Sequence, residues 1–339
     1  MSDEASRVAL LERAFGRAPR GVLCGIGDDA AVLAPGRDRL VWTVDVQVEG
    51  VHFQRSWLGL DALGYRSVMA AASDLAAMGA RPRAVLSGLV LPPGFSDAEL
   101  GALARGQARA CRELGTAVVG GNLARGGELS VTTSVLGHAA RPLLRRGARP
   151  GDGVWVAGTT GLAAAGLAWL ARAGGAARVP VALRAAVAAW QRPVARIDAG
   201  ALVARRAHAA IDLSDGLAID LARLARASGV VVVLAEEALV TEALTRAARA
   251  LAARGVAASA LELALHGGED YALVAVLPAR GTPAGLAAAG FRCIGSCEPR
   301  APRGASPLVL VARTGTRRPL AARGFDHFAR GGARARAVS

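Results

Sequence analysis

Lysine is missing altogether: all 41 basic residues of this 339-residue chain are arginines. That absence excludes a phosphate loop of the GxxxxGKS/T type, the strand lysine of protein kinases and any lysine Schiff base. Aromatic residues are scarce, at 4 %, against 53 % hydrophobic residues. Ala, Val and Leu must therefore fill the core, which suits helices packed on sheets. No uninterrupted apolar run reaches about 18 residues, so no membrane span is expected. The opening MSDEASRVALLERAF is charged and amphipathic, without the apolar stretch and cleavage site of a signal peptide. Cysteines are few: Cys24, Cys111, Cys293 and Cys297. Only the last two are close, and no second Cys/His pair stands at zinc spacing. All four read as reduced thiols of a cytoplasmic protein.

Arginine is abundant, giving a formal charge of +14 and a pI of about 11.3. Such a balance raises nucleic acid as a partner. The arginines are dispersed, however, except in Arg141–Arg149 and after Phe328. No basic–aromatic stripe accompanies them. The absence of lysine and the Ala richness point to a compositional bias, and nucleic acid is not the expected partner.

Apolar periodicity predicts a mixed α/β chain. Helices are expected at 3–15, 61–79 and 96–114, and strands at 40–46, 84–91, 116–119 and 129–138. The Arg-, Gly- and Pro-rich segment Arg141–Gly153 reads as a connection between domains. Beyond it, strands are expected at 154–158, 209–213, 230–234, 271–277 and 291–298. Helices are expected at 160–174, 182–206, 215–228, 238–254 and 258–265. The domains are therefore 1–140 and 154–328, with 141–153 as linker and 329–339 as a disordered basic tail.

Carboxylates recur in glycine-rich settings. Gly27-Asp28-Asp29 lets the backbone approach a ligand, although a surface turn has the same composition. Asp45 sits in the apolar strand LVWTVDV, where a buried carboxylate needs a partner or a cation. Asp74 stands in an Ala-rich helix; an exposed helix carboxylate is the alternative. Asp212-Leu213-Ser214-Asp215-Gly216 ends a strand and begins a helix, where Ser214 and Asp215 could equally serve as caps. Gly267-Gly268-Glu269-Asp270-Tyr271 precedes another strand. Two unit charges 4 Å apart repel by about 4 kcal/mol at an effective dielectric near 20, so converging carboxylates call for cations. Oxygen-only donors favour Mg²⁺ or Ca²⁺ over zinc.

Eight segments, GIGDDAAVL, TVDVQVEGVHF, SDLAAMGA, VVGGN, RRGARPGD, IDLSDGL, GGEDY and GFDHF, occur in an order that resembles the thiamine-monophosphate kinase family. They span about residues 22–328. The resemblance implies two α/β domains of the aminoimidazole-ribonucleotide-synthetase type, paired as a homodimer through the N-terminal domain. It implies transfer of the γ-phosphoryl of ATP onto thiamine monophosphate, assisted by several Mg ions. Asp29, Asp45, Asp74, Asp212 and Asp215 would hold the metal, with Thr43 beside them. Gly121, Arg145 and Ser214 would contact ATP, and His52, Glu269 and Phe325 would face the thiamine end. The chain departs from the family at Asn122, where Asp is frequent, so Asn122 would serve the metal or ATP through its amide oxygen or simply hold a turn. It departs also at Val46, at Gln47, and at Phe325, where Trp is frequent. Other readings are a selenophosphate-synthetase-like enzyme, for which Cys24 lacks an accompanying lysine, and a nucleotide-binding protein without turnover.

Overall fold

The computed structural model describes residues 4–16, 21–24, 26, 32–174, 178–280, 285–300 and 304–325. By internal contacts the chain divides into Met1–Leu75 with Ala80–Ala140, and Ala76–Gly79 with Arg141–Ser339. The first unit opens with α1 (Glu4–Phe15) and a ribbon of β1 (Val22–Cys24) and β2 (Val32–Leu33). Then come β3 (Arg39–Val48), α2 (Leu60–Ala77), β4 (Arg81–Leu91), α3 (Asp97–Glu113), β5 (Val118–Arg125) and β6 (Ser130–Ala139). A four-stranded sheet runs in the order β3-β6-β4-β5. β6 is antiparallel to both neighbours; β4 and β5 are parallel because α3 carries the chain back between them.

Helices α2 and α3 touch backbone to backbone. A Cβ on Gly64 would stand 2.0 Å from the Leu103 carbonyl oxygen, and one on Gly106 2.0 Å from that of Asp61. Glycine alone permits that approach. Tyr65 donates to Glu113 at 2.6 Å along the same seam, and Arg109 grips Asp61 at 2.9 and 3.1 Å. Ser96 and Glu99 form a reciprocal capping box that starts α3.

The second unit contains β7 (Gly153–Ala157), α4 (Leu162–Ala173), α5 (Arg184–Gln191), α6 (Ile197–Val203), β8 (Ala209–Leu213) and α7 (Leu217–Ser228). It continues through β9 (Val231–Ala235), α8 (Glu236–Leu239), α9 (Glu242–Ala252), α10 (Ala260–His266), β10 (Ala272–Leu277), β11 (Phe291–Glu298), β12 (Leu308–Val311) and β13 (Arg317–Pro319). Its seven strands are ordered β13-β12-β9-β11-β7-β10-β8. Every residue of β8 and β10 is buried, because both faces of the sheet are covered. Leu162, Leu217, Leu221, Leu244 and Leu251 pack on one face against Val154, Ile211 and Val274. Leu143, Val203 and Leu286 pack on the other, with Leu273 and Phe291. At one edge, exposed Arg317, Arg318 and Pro319 discourage further strand pairing.

Several expectations need correction. The helix expected over 182–206 is a turn of 3₁₀ helix at Val181–Leu183, then α5 and α6. Pro193 interrupts it by disfavouring helical backbone at Arg192. The helix expected over 238–254 is parted where Thr241 caps α9, its hydroxyl accepting from Leu244 N–H. Gly120, Gly121 and Asn122 lie within β5 rather than in a turn. β12 and β13 add a hairpin beyond the last expected strand. The segment expected as linker belongs to the second unit: Leu143 and Ala148 are buried in its cores. Among the described residues no helix is long and apolar enough to cross a membrane.

Adding a methyl group at the α2–α3 contact should overpack it. Gly64→Ala and Gly106→Ala should each destabilise the protein by roughly 1–3 kcal/mol in urea melts. Gly101→Ala on α3 is the comparison, since its Cβ would meet only the movable Arg105 guanidinium, at 3.2 Å, and a leucine side chain. That variant should be neutral or stabilising, because alanine favours helix.

Candidate active site

Period-two alternation places Val41, Thr43, Asp45 and Gln47 on the face of β3 that meets α2. Thr43 Oγ1 donates to Asp74 Oδ2 at 2.5 Å. Two helical turns earlier, the fully buried Arg66 donates from Nε to Gln47 Oε1 at 3.2 Å. The helix thus runs down the strand with Asp45 between these two rungs. Asp45 Oδ1 also accepts from the Val46 amide. Gln47, which departs from the family pattern, is the partner of a buried guanidinium. In the loop after β3, His52 Nδ1 accepts from Val48 N–H at 3.0 Å, which puts the proton of the neutral ring on Nε2.

In the second unit, three separated segments meet. Asp212 is buried near the end of β8, and Ser214 and Asp215 follow. Glu269 N–H donates to the Ser214 carbonyl at 2.7 Å, and Tyr271 N–H to that of Leu213 at 2.8 Å. Phe325 N–H donates to the Asp215 carbonyl at 3.0 Å. Asp212, Ser214, Asp215, Glu269 and Phe325 therefore belong to one cluster. Glycines make the fit possible: a Cβ on Gly268 would stand 2.7 Å from the Ser214 oxygen, and one on Gly324 2.6 Å from the Asp215 oxygen. Glu269 (φ 74°) and Tyr271 (φ 48°) adopt left-handed backbone, at a cost of roughly 1–3 kcal/mol each.

The remaining candidates stand elsewhere. Asp29 lies outside the described residues, as does the basic tail. Gly121 is in register with Ser87, where a Cβ would meet the Ser87 oxygen at 1.9 Å. Gly121 and Asn122 border an apolar cavity of about 130 Å³ with Val8, Leu11, Phe15 and Ile26. β5 and β3 are opposite edges of the sheet, three strand spacings or about 14 Å apart. Moreover, Asn122 shares a register row with Gly88, Thr132 and Val46, on the face opposite Asp45. Exposed Arg145 has its carbonyl bound by Ser228 Oγ, at the far end of α7 from Ser214. That 12-residue helix is about 18 Å long.

The comparisons with known proteins bear on these residues. Residues 27–139 match the family model for the AIR synthase related protein, N-terminal domain. The thiamine-monophosphate kinase of Aquifex aeolicus is 35 % identical, over 75 % of this chain and 80 % of its own. That of Salmonella typhimurium is 34 % identical over 90 % and 92 %. AaThiL, solved in complex with AMPPCP and TMP, superimposes with a TM-score of 0.77 at 29 % identity, covering 96 % of this chain and 97 % of that one. The chain belongs to the thiamine-monophosphate kinase family.

For a thiamine-monophosphate kinase family member, magnesium is the implied metal. Within each unit the candidate donors are all oxygen, and among the described residues no three His, Cys, Asp or Glu side chains gather. Mg²⁺ needs no such all-protein cage, being held by one or two carboxylates with waters and substrate phosphates. Asp45 with Asp74 beside Thr43, and Asp212 with Asp215, fit that requirement.

Two carboxylates of this family member escaped the sequence reading as structural groups. Asp220 accepts from the Asp215 and Gly216 amides, so it, not Ser214, covers the start of α7. Burial, then the Asp215 charge, pushes its carboxyl up to about 6, while Arg223, 2.6 Å from both acids, opposes the rise. An Asp in the first helical turn was the available signal. Asp270 was legible only as one of two adjacent acids. Partly buried, it accepts from the Gly161 and Ala163 amides at the start of α4. Burial pushes its carboxyl up to about 7, against the pull of those amides and of Arg292.

An unfolded Asp releases its proton near pH 4. The folded carboxyl of Asp270 keeps it to about 7, so the stability it contributes is complete at low pH and fades as pH rises through that value. Asp270→Asn does not titrate. The melting temperature of the parent minus that of this variant should therefore fall between pH 5 and pH 8, as read by calorimetry.

Proposed function

We propose that this chain transfers the γ-phosphoryl group of ATP directly to the phosphate of thiamine monophosphate, giving thiamine diphosphate and ADP. The convergence of Asp212, Ser214, Asp215, Glu269 and Phe325 in the second unit carries the reading. Their acceptor would have a flat cation at one end and a phosphate at the other. Exposed Phe325 offers a ring face to a thiazolium, and Glu269 a carboxylate for its charge. His52 offers a donor from Nε2. The AMPPCP and TMP bound to AaThiL support the same pair of substrates.

Asp29, Asp45 and Asp74 with Thr43 in the first unit, and Asp212 with Asp215 in the second, would hold several magnesium ions. Bound there, magnesium supplies positive charge to the phosphates and lowers their mutual repulsion. The acceptor phosphate is anionic near neutral pH, so the protein needs no strong general base. Its residues align two anions in line and exclude competing geometries. Gly121 and Asn122, beside the apolar cavity, would receive the nucleotide, Ser214 would bond to it, and Arg145 would meet its phosphates. No phosphorylated side chain forms in this scheme. The proposed setting is cytoplasmic, where free thiols such as Cys111, Cys293 and Cys297 stay reduced.

Incubation with ATP, Mg²⁺ and thiamine monophosphate should yield thiamine diphosphate by chromatography, and excess chelator should abolish it. Asp74→Ala and Asp212→Ala should each lower kcat roughly 100-fold or more with unchanged circular dichroism. Near-normal turnover of either variant would remove that residue from the site.

A second copy of the chain is the proposed partner. The outward face of β3 exposes Leu40 (63 %), Trp42 (72 %) and Val44 (62 %), next to Val46 and the facing Leu86. An apolar face on an edge strand invites a symmetric partner. The separation of Asn122 from Asp45, and of Arg145 from Ser214, is what a site completed by a second copy would show. Trp42→Asp should shift the protein from dimer to monomer in light scattering and reduce turnover with it. A variant that stays dimeric would place the interface elsewhere.

A further inference from the structure

The turn Gly267–Tyr271 is held by a carboxylate that faces away from the cluster it serves. Asp270 lies between Glu269 and Tyr271, which are the two described residues other than glycine with positive φ. Its own side chain is partly buried and ends at the first turn of α4, with the Gly161 amide on Oδ2 and the Ala163 amide on Oδ1 at 3.0 Å. That first turn is itself braced. Arg292 reaches from β11 to donate to the Gly158 carbonyl at 2.6 Å, to Thr160 Oγ1 at 3.1 Å and to the Ala238 carbonyl at 3.3 Å. Thr160 Oγ1 donates onward to the Leu239 carbonyl. On the other side of the turn, Glu269 and Tyr271 deliver their amides to Ser214 and Leu213, and Asp215 receives Phe325. One line of bonds therefore joins the start of α4, through Asp270, to the segments that carry Ser214, Asp215, Glu269 and Phe325.

We propose that Asp270 is a positioning residue, which pins the left-handed Glu269–Tyr271 turn to the start of α4 and so sets Glu269 and Phe325 for the acceptor. The assignment of that role toward thiamine monophosphate rests on the function proposed above; the pinning does not. Strained backbone relaxes when its restraint is removed, and a carboxylate with an amide on each oxygen is such a restraint. Asn in its place keeps the shape but turns an NH₂ toward one of the two N–H donors. The start of α4 is thus filled from within the protein, and the Gly158–Gly161 loop is not available as a phosphate cradle.

The test compares the parent with Asp270→Asn at pH 8, where the parent carboxyl is ionised. Amide hydrogen exchange at Glu269 and Tyr271 should quicken about tenfold or more in the variant, with the amides of β9 unchanged. The KM for thiamine monophosphate should rise about tenfold, with that for ATP within about twofold. A structural role alone would lower the fraction of active enzyme and leave both KM values in place. Unchanged exchange in a folded variant overturns the pinning. Faster exchange with an unchanged acceptor KM overturns the positioning role. A parent protein that neither binds nor phosphorylates thiamine monophosphate, while exchange still responds, sinks the proposed function and keeps the pinning. If Asp270→Asn does not fold, isosteric Thr160→Val loosens the Arg292 brace instead and should raise the same KM about threefold; no rise overturns the proposal.

Discussion

Taking a carboxylate out of water is costly unless something answers its charge. That constraint shapes the surroundings of Asp74, Asp220 and Asp270. Thr43 donates to Asp74, Arg223 and two backbone amides hold Asp220, and amides of α4 hold Asp270. Asp152, near the start of the second unit, takes the Arg149 amide and His208. A chain without lysine relies for this on guanidinium groups, hydroxyls and peptide N–H groups. Among the described acids proposed for magnesium, Asp45, Asp74 and Asp215 are half-buried, while Asp212 is buried near the end of β8.

Two ways of building a site coexist in the molecule. In the first unit a strand and a helix present residues by regular spacing, so Thr43 and Gln47 meet Asp74 and Arg66 at two turns' separation. In the second, loops from distant parts of the chain are tied together by main-chain bonds, and glycines provide the room. The first arrangement is rigid because its elements are packed. The second depends on strained turns and on the side chains behind them.

Much of this was legible along the chain. Apolar periodicity located β3 and α3. Ordered motifs brought the family into view before any coordinate did, because glycines and acids at strand ends serve geometry that tolerates few substitutes. Less legible were the break at Pro193, which the apolar pattern on either side concealed, and the strand through Gly120–Asn122, whose composition resembles a turn. Gly121 sits there because β4 passes too close for any side chain.

What the sequence determined by itself was chemistry: the candidate oxygen donors, the exclusion of lysine-based phosphate binding, the α/β class and the family. Those follow from residue types and short-range periodicity. Tertiary structure alone decided that Asp270 is a strut, since the amides it accepts from stand 107 and 109 residues away in the chain. It also decided that Asn122 and Asp45 occupy opposite edges and faces of one sheet. Both outcomes depend on strand order and burial, which arise from contacts between residues far apart in the chain.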